Sequence, residues 1–266
     1  MTHQVSPKGI VGLGALGRAL ELFMPEILPP GAVIFAVKAF DLEAALLEHA
    51  SRWPENIPFV TMCNGFIWPI IERLENKLGK RPIRIGMTTL GSTIKPDGSL
   101  KIFADGTTTA WGHWPKTNGE ALVKPSKVEL DILGHFPGGE WFNDIRPIIR
   151  RKWILNVVIN SIVGAYRLPK NGLLVNHKQE IEAALAEAIN LADKLWPGLN
   201  WEAEEKHNFQ AKIWNVVNAT AENENSMVRD LRLGRRTESD YLAGIASNFD
   251  GFSYLKNLHL KILGNH

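Results

Sequence analysis

Five short apolar runs, each set off by glycine or proline, occupy the first half of this chain and then stop. They are GIVGLG from Gly9, AVIFAV from Ala32, PFVTMC from Pro58, IRIGMTTL from Ile83 and KIFADG from Lys101. Runs of this length, rich in valine and isoleucine, predict strands buried on both faces. Helical stretches separate them, from Asp41 to His49, with Asp41 as N-cap, and from Pro69 to Leu78. Strand alternating with helix predicts a mainly parallel, doubly wound sheet. The stretch from Gly86 to Trp114 departs from this rhythm. Strand-like runs flank Asp97-Gly98, a hairpin signal, and predict antiparallel pairing.

Past about Asp144 the period becomes helical. Amphipathic stretches run from Ile145 to Tyr166, Gln179 to Leu195, Trp201 to about Asn223 and Thr237 to about Ser247. The expected fold is α/β: a Rossmann-like domain over residues 1–143, then an all-α domain over residues 144–266, with Pro137-Gly138-Gly139 as the break.

The chain has 266 residues, enough for two cores, and a net charge of only +2 with its cations scattered. Neither nucleic acid nor an anionic membrane is expected as partner. Cys63 is the single cysteine, so no intramolecular disulfide forms and a reducing compartment is expected. The first residues lack a signal-peptide core and no apolar run reaches membrane-spanning length, so a soluble cytoplasmic protein is expected. The eight histidines show no ligand spacing, and no metal is expected.

Gly12-Leu13-Gly14-Ala15-Leu16-Gly17 lies between a short apolar strand and a helical stretch. The first glycine allows a tight turn, the second lets backbone approach a pyrophosphate, and the third lets helix and sheet pack closely. Phosphates would rest on the unpaired N–H groups at the helix start. The alternative is a glycine-rich turn without a ligand. A standard fingerprint ends its second strand on an acid for the ribose. Here Pro25 interrupts the helix, Pro29-Pro30-Gly31 ends it, and the next strand finishes at Lys38.

In the stretch from Arg150 to Tyr166, Lys152, Asn156 and Asn160 stand at i, i+4 and i+8, on one face of a helix that is otherwise apolar. A buried polar stripe must meet water, a ligand or other polar groups, because an unpaired buried amide costs roughly 1–3 kcal/mol. A lysine in such a cleft can serve as acid or base. A purely structural network between helices is the competing reading, and spacing alone leaves both open.

Several segments in order resemble ketopantoate reductases: GLGALG, VKAF from Val37, CNGF from Cys63, the stretch from Gly86 to Gly106, RRKWILNVVINSIVGAY from Arg150, Lys170-Asn171-Gly172, NATAENENSM from Asn218 and GRRTESDYLAG from Gly234. The resemblance covers most of the chain. It implies hydride transfer from NADPH or NADH to a small 2-oxo acid such as 2-dehydropantoate, and a possible homodimer formed through the helical domain. It implies Lys152 as the group that protonates the carbonyl oxygen and Glu238 as the acid that orients substrate and lysine. Asn156, Asn160 and Ser226 match residues that hold the substrate's carboxylate and hydroxyl, and Asn171, in a turn of common type, is a further candidate beside them. Gly12, Gly14, Ala15, Leu16 and Gly17 would hold the cofactor, with Lys38 and Asn64 near nicotinamide and substrate. On this reading AVIFAV corresponds to the family's fourth strand, and Lys38 reads no phosphate. Plainer readings remain: Glu238 favouring a helix start after Thr237, and Ser226 capping a turn.

The chain also departs from the family. Fifteen residues join Gly17 to Val33, where the family has two further strands that carry the adenosine pocket. The first strand would then be a bare sheet edge. After the TESDY segment, NFDGFSYLKNLHLKILGNH replaces a Gly-Pro loop and a long final helix. Two alternatives to the reductase follow: a non-catalytic small-ligand-binding protein that has lost the dinucleotide, or an enzyme that uses another cofactor or a partner chain paired at that edge.

Overall fold

The computed structural model describes residues 3–26, 31–95, 97–103, 106–117, 120–202 and 204–264. Pro29 and Pro30, expected to end the first helix, and Ala104 and Asp105 of the KIFADG run lie outside the described residues. The chain divides into two compact units, Met1–Ile145 and Arg146–His266.

The first unit holds, in chain order, β1 (Ile10–Val11), α1 (Ala15–Phe23), β2 (Val33–Phe35), α2 (Leu42–Ala50), β3 (Phe59–Thr61), α3 (Trp68–Leu74), β4 (Ile83–Thr88), β5 (Gly91–Ile94), β6 (Leu100–Phe103), β7 (Thr109–Gly112), α4 (Lys127–Gly134) and β8 (Gly139–Phe142). Six strands form one sheet in the order β1-β2-β3-β4-β7-β8. The first four are mutually parallel, β7 runs antiparallel to β4, and β8 is parallel to β7. The fold is thus a Rossmann-like α/β unit with an antiparallel addition, followed by a helical unit. β5 and β6 form the separate hairpin expected around Asp97-Gly98.

Alternation along β2 distributes its side chains to two layers. Ile34 joins Ile10, Leu20, Val60, Trp111, Ile132 and Leu133, so α1 and α4 share one core, with Leu100 and Ile102 of the hairpin packed against it. Phe35 points the other way, its ring 4.8 Å from that of Phe59 and 6.0 Å from His49 on α2. Arg81, just before β4, fixes the segment between α2 and β3: its guanidinium donates to the carbonyls of Ala50, Trp53, Pro54 and Ile57 and lies 4.1 Å over the Phe59 ring.

β1 lies at the edge of the sheet as expected, but that edge is not bare. Ser6 N–H donates to the Ile10 carbonyl at 2.8 Å and Gly12 N–H to the Gln4 carbonyl at 3.0 Å, with an antiparallel bridge between Val5 and Val11. Ser6 Oγ accepts from the Ile10 amide. Backbone groups of β1 that face away from β2 are therefore taken by the chain's own residues Gln4 to Ser6, which removes the motive for a partner strand there. Lys8 then donates from Nζ to the Met24 carbonyl at 3.0 Å, capping the end of α1.

Other expectations need correction. Gly139 opens a strand, β8, where the Pro-Gly-Gly break was expected, because Gly138 turns the chain back beside β7. Asp41 stands at the N-cap of α2 as expected but makes no side-chain cap bond; it also ends a short 3-10 turn, Ala39–Asp41. α4 was not anticipated, although its Ser126 and Glu129 form a reciprocal capping box whose S-x-x-E spacing is visible in the sequence. Glu129 also bonds Arg84 at 2.7 Å, both buried, which ties α4 to β4.

The second unit comprises α5 (Arg146–Ala165), a 3-10 segment (Asn171–Asn176), α6 (Lys178–Leu195), α7 (Phe209–Ala219), α8 (Ser226–Arg232), two 3-10 segments (Ser239–Tyr241 and Ala243–Asn248) and α9 (Ser253–Leu263). α5 is the central helix, packed by α6, α7, α8 and α9, which is why Trp153, Ile154, Val157, Val158 and Ile162 are all buried. Arg150, also buried, donates to the carbonyls of Leu199 and Asn200, stacks 3.7 Å over Trp201 and faces Glu205. The helix expected from Trp201 begins only at Phe209, and the one expected from Thr237 to Ser247 is two 3-10 pieces. Among the described residues no helix is long and apolar enough to cross a membrane. No group of three or more His, Cys, Asp or Glu stands ready for a metal among them.

Candidate functional site

In the first unit the glycine turn links β1 to α1, and its three glycines meet three different demands. Gly12 has φ +90°, and a Cβ there would lie 2.8 Å from the Ala36 carbonyl oxygen. At Gly17 a Cβ would lie 1.8 Å from the Gly12 carbonyl oxygen, so only glycine lets α1 pack on the turn. Gly14 is exposed, sits at the N-cap of α1 without a side-chain cap, and a Cβ there would meet nothing within 4 Å. The space beside Gly14 is thus clear at the start of α1, where the first-turn amides of Ala15, Leu16 and Gly17 lack helical partners. These residues fit a pyrophosphate. Lys38 and Asn64 follow the carboxyl ends of β2 and β3, the end of a parallel sheet where α/β proteins bind ligands. Cys63, given no role by sequence, donates from Sγ to the Val37 carbonyl at 3.2 Å and ties those two loops together.

In the second unit Lys152, Asn156 and Asn160 lie on α5 as spaced, each half-buried. Eight residues of helix carry them along about 12 Å. Trp153 fixes the neighbouring loop, donating from Nε1 to the Tyr241 carbonyl at 3.1 Å. That loop carries Glu238, which is buried and whose carbonyl accepts from Tyr241 N–H. Its other anchor is α9, where His259 Nδ1 lies 2.6 Å from Ser239 Oγ. Glu238 stands at the start of the three-residue turn Ser239–Tyr241, where Thr237 Oγ1 accepts from Ser239 N–H at 3.4 Å, so the capping reading holds for Thr237 on a turn too short for a significant helix dipole.

Ser226 is the exposed first residue of α8, and the cap of that helix is Asn225, which sequence reasoning missed. Asn225 Oδ1 accepts from Met227 N–H at 3.0 Å, while its Nδ2 donates to Asn160 Oδ1 at 2.9 Å and to Asn171 Oδ1 at 3.2 Å. Asn171, buried, donates from Nδ2 to Thr220 Oγ1 at 2.9 Å. One end of the Asn160 amide therefore belongs to an internal network, the structural reading of the polar stripe.

A glycine-turn sheet unit joined to a helical unit with a lysine-bearing central helix defines a dinucleotide-fold protein with an all-α companion. Comparison makes this specific. Residues 23–116 match the family model described as ketopantoate reductase PanE/ApbA, and residues 144–248 match that of its C-terminal part. The chain is 30% identical to the 2-dehydropantoate 2-reductase of Salmonella typhimurium (strain LT2) over 83% of its length and 68% of the relative's. It is 29% identical to that of Shigella flexneri over 80% of its own length. The chain belongs to the ketopantoate reductase family. It spans about two thirds of the length of these relatives, 65% and 68% respectively. In fold it is similar to D-mandelate dehydrogenase, solved with NADH and anilino(oxo)acetate: TM-score 0.75, 16% identity, 96% of each chain covered.

Proposed function

We propose that this protein reduces a small 2-oxo acid to the 2-hydroxy acid with NADPH or NADH. The observation that carries the reading is the glycine turn, where Gly12 and Gly17 are sterically required and Gly14 leaves the anion approach open. Gly12 and Gly17 answer to the packing of the turn itself; Gly14, which packing does not require, is the position that a pyrophosphate needs clear. Family membership and the retention of Lys152, Asn156, Asn160 and Glu238 support the chemistry.

The reduced nicotinamide, when bound, supplies a hydride to the substrate's C2. Amides of Ala15, Leu16 and Gly17 hold the pyrophosphate, and Lys38 and Asn64 serve the nicotinamide end. The Lys152 ammonium passes a proton to the carbonyl oxygen, so the C=O becomes CH–OH with one hydride and one proton added. Asn156, Asn160 and Ser226 hold the carboxylate and the substituent oxygen, and Glu238 orients lysine and substrate. Asn171, with both ends of its amide engaged, positions its neighbours instead of touching substrate.

A general acid of this kind contributes about 10²–10⁴ in rate. Oxidation of NADPH or NADH by 2-dehydropantoate and related 2-oxo acids, followed in wild type and Lys152→Ala, tests the proposal. Turnover that falls by that factor in a folded variant supports it, and no turnover by wild type with either cofactor sinks it. The second reading, a ligand-binding protein without a dinucleotide, draws on the sheet, where only Gln4 to Ser6 stand outside β1 among the described residues.

A further inference from the structure

We infer that Asn225 sets which end of the Asn160 amide is offered to substrate, making Asn160 a hydrogen-bond donor to a substrate oxygen; this rests on the reading that α5 lines a substrate site. The two ends of a carboxamide are told apart by their partners. Here the partners are fixed at both ends of a chain. At one end stands the Met227 backbone N–H, which can only donate, so Asn225 turns Oδ1 toward it. Asn225 must then present Nδ2 to Asn160 and Asn171, and its two N–H groups match the two oxygens at 2.9 and 3.2 Å. At the other end the Val216 carbonyl, which can only accept, takes the Thr220 hydroxyl at 2.8 Å, and Thr220 Oγ1 in turn accepts from Asn171 Nδ2. Backbone at both ends enforces one direction of donation.

Asn160 hangs from this chain by its Oδ1 and leaves Nδ2 facing outward on the half-buried stripe with Lys152 and Asn156. Among the described residues nothing accepts from that Nδ2. The group it can recognise is an acceptor: a carboxylate oxygen, or a hydroxyl oxygen through its lone pair. Asn225 never meets the substrate on this account; it is a positioning residue that acts through Asn160.

Two measurements test this. In the ligand-free wild type, side-chain amide NMR should show the Asn225 NH2 protons protected from exchange and the Asn160 NH2 protons exchanging freely. The reverse pattern overturns the inference whatever the protein reduces, whereas absence of turnover bears on the functional reading alone. The second measurement uses Asn225→Asp, which keeps the acceptor for Met227 N–H but replaces the donor with a second acceptor. Asn160 must then rotate and expose Oδ1 to the substrate. KM for the 2-oxo acid should rise about tenfold or more with kcat little changed, since a hydrogen bond made equally in ground and transition states is lost. Added to Asn160→Ala, Asn225→Asp should raise KM no further. An unchanged KM, or effects of the two substitutions that simply add, would overturn the assignment.

Discussion

Gly17 of α1 stands directly against Gly12: a Cβ on Gly17 would lie 1.8 Å from the Gly12 carbonyl oxygen. In an unobstructed helix, glycine to alanine stabilises by about 1 kcal/mol. Here the obstacle is backbone, which cannot swing aside as a side chain does. Gly17→Ala is therefore expected to destabilise by about 2–3 kcal/mol, an overpacking cost larger than the propensity gain. Urea denaturation measures the sign directly; a stabilised variant would show that the turn yields.

Gly14 predicts the opposite pairing of effects. Its φ of −71° suits any residue, and the space around its Cβ position is open. Gly14→Ala should change stability by less than about 1 kcal/mol, the scale of an N-cap exchange. It should nonetheless weaken NADPH or NADH binding at least about tenfold, because the methyl group occupies the path of the pyrophosphate. Calorimetry on the variant checks the second half and thermal unfolding the first.

Arg81 makes a prediction about the fold alone. Four carbonyls, those of Ala50, Trp53, Pro54 and Ile57, lose their donor in Arg81→Ala. Hydrogen bonds from a charged donor are worth about 1.5–3 kcal/mol each in favourable cases, so a loss of at least about 3 kcal/mol is expected. A denaturation midpoint equal to wild type would contradict the clamp.

Acid should weaken the protein through two histidines. Burial, opposed by Asp240, holds the His259 imidazole below its ordinary value, and burial does the same for His49. A histidine whose folded pKa is depressed binds fewer protons folded than unfolded. Its contribution is complete above the unfolded pKa of about 6.5 and is lost as pH falls through that value toward the folded one. Free carboxylic acids titrate lower, at about 4. Stability measured from pH 7.5 to 5 should therefore fall in wild type and fall less in His259→Asn, whose amide takes the place of Nδ1 beside Ser239 Oγ without titrating. Parallel profiles would remove His259 as the cause.

What was legible in the sequence follows the physics of each segment. β2 and β3 are only three residues each, yet Val33–Phe35 and Phe59–Thr61 are wholly buried, so an uninterrupted apolar run announced them. β8 reads Gly-Glu-Trp-Phe, is exposed on half its length and follows a Pro-Gly-Gly turn, so it carried no strand signal. The arm from Gln4 to Ser6 pairs mainly through backbone, with Ser6 Oγ also accepting from the Ile10 amide, and composition does not record such pairing. The segment after Thr237 has helical spacing but is held as two 3-10 pieces by tertiary bonds from Trp153 and His259, which periodicity cannot foresee. On α5 the i, i+4, i+8 stripe was plain. Its dependence on Asn225 was not, because that bond joins residues 65 apart.

The most direct test of the account is a calorimetric titration of the purified protein with NADPH and then with NADH. Binding of at least one of them in the micromolar range is predicted, through a turn that keeps its pyrophosphate contacts although the strands outside β1 are replaced by Gln4 to Ser6. Binding of neither would contradict the dinucleotide-dependent reductase and leave a helical unit that holds its ligand for some other purpose.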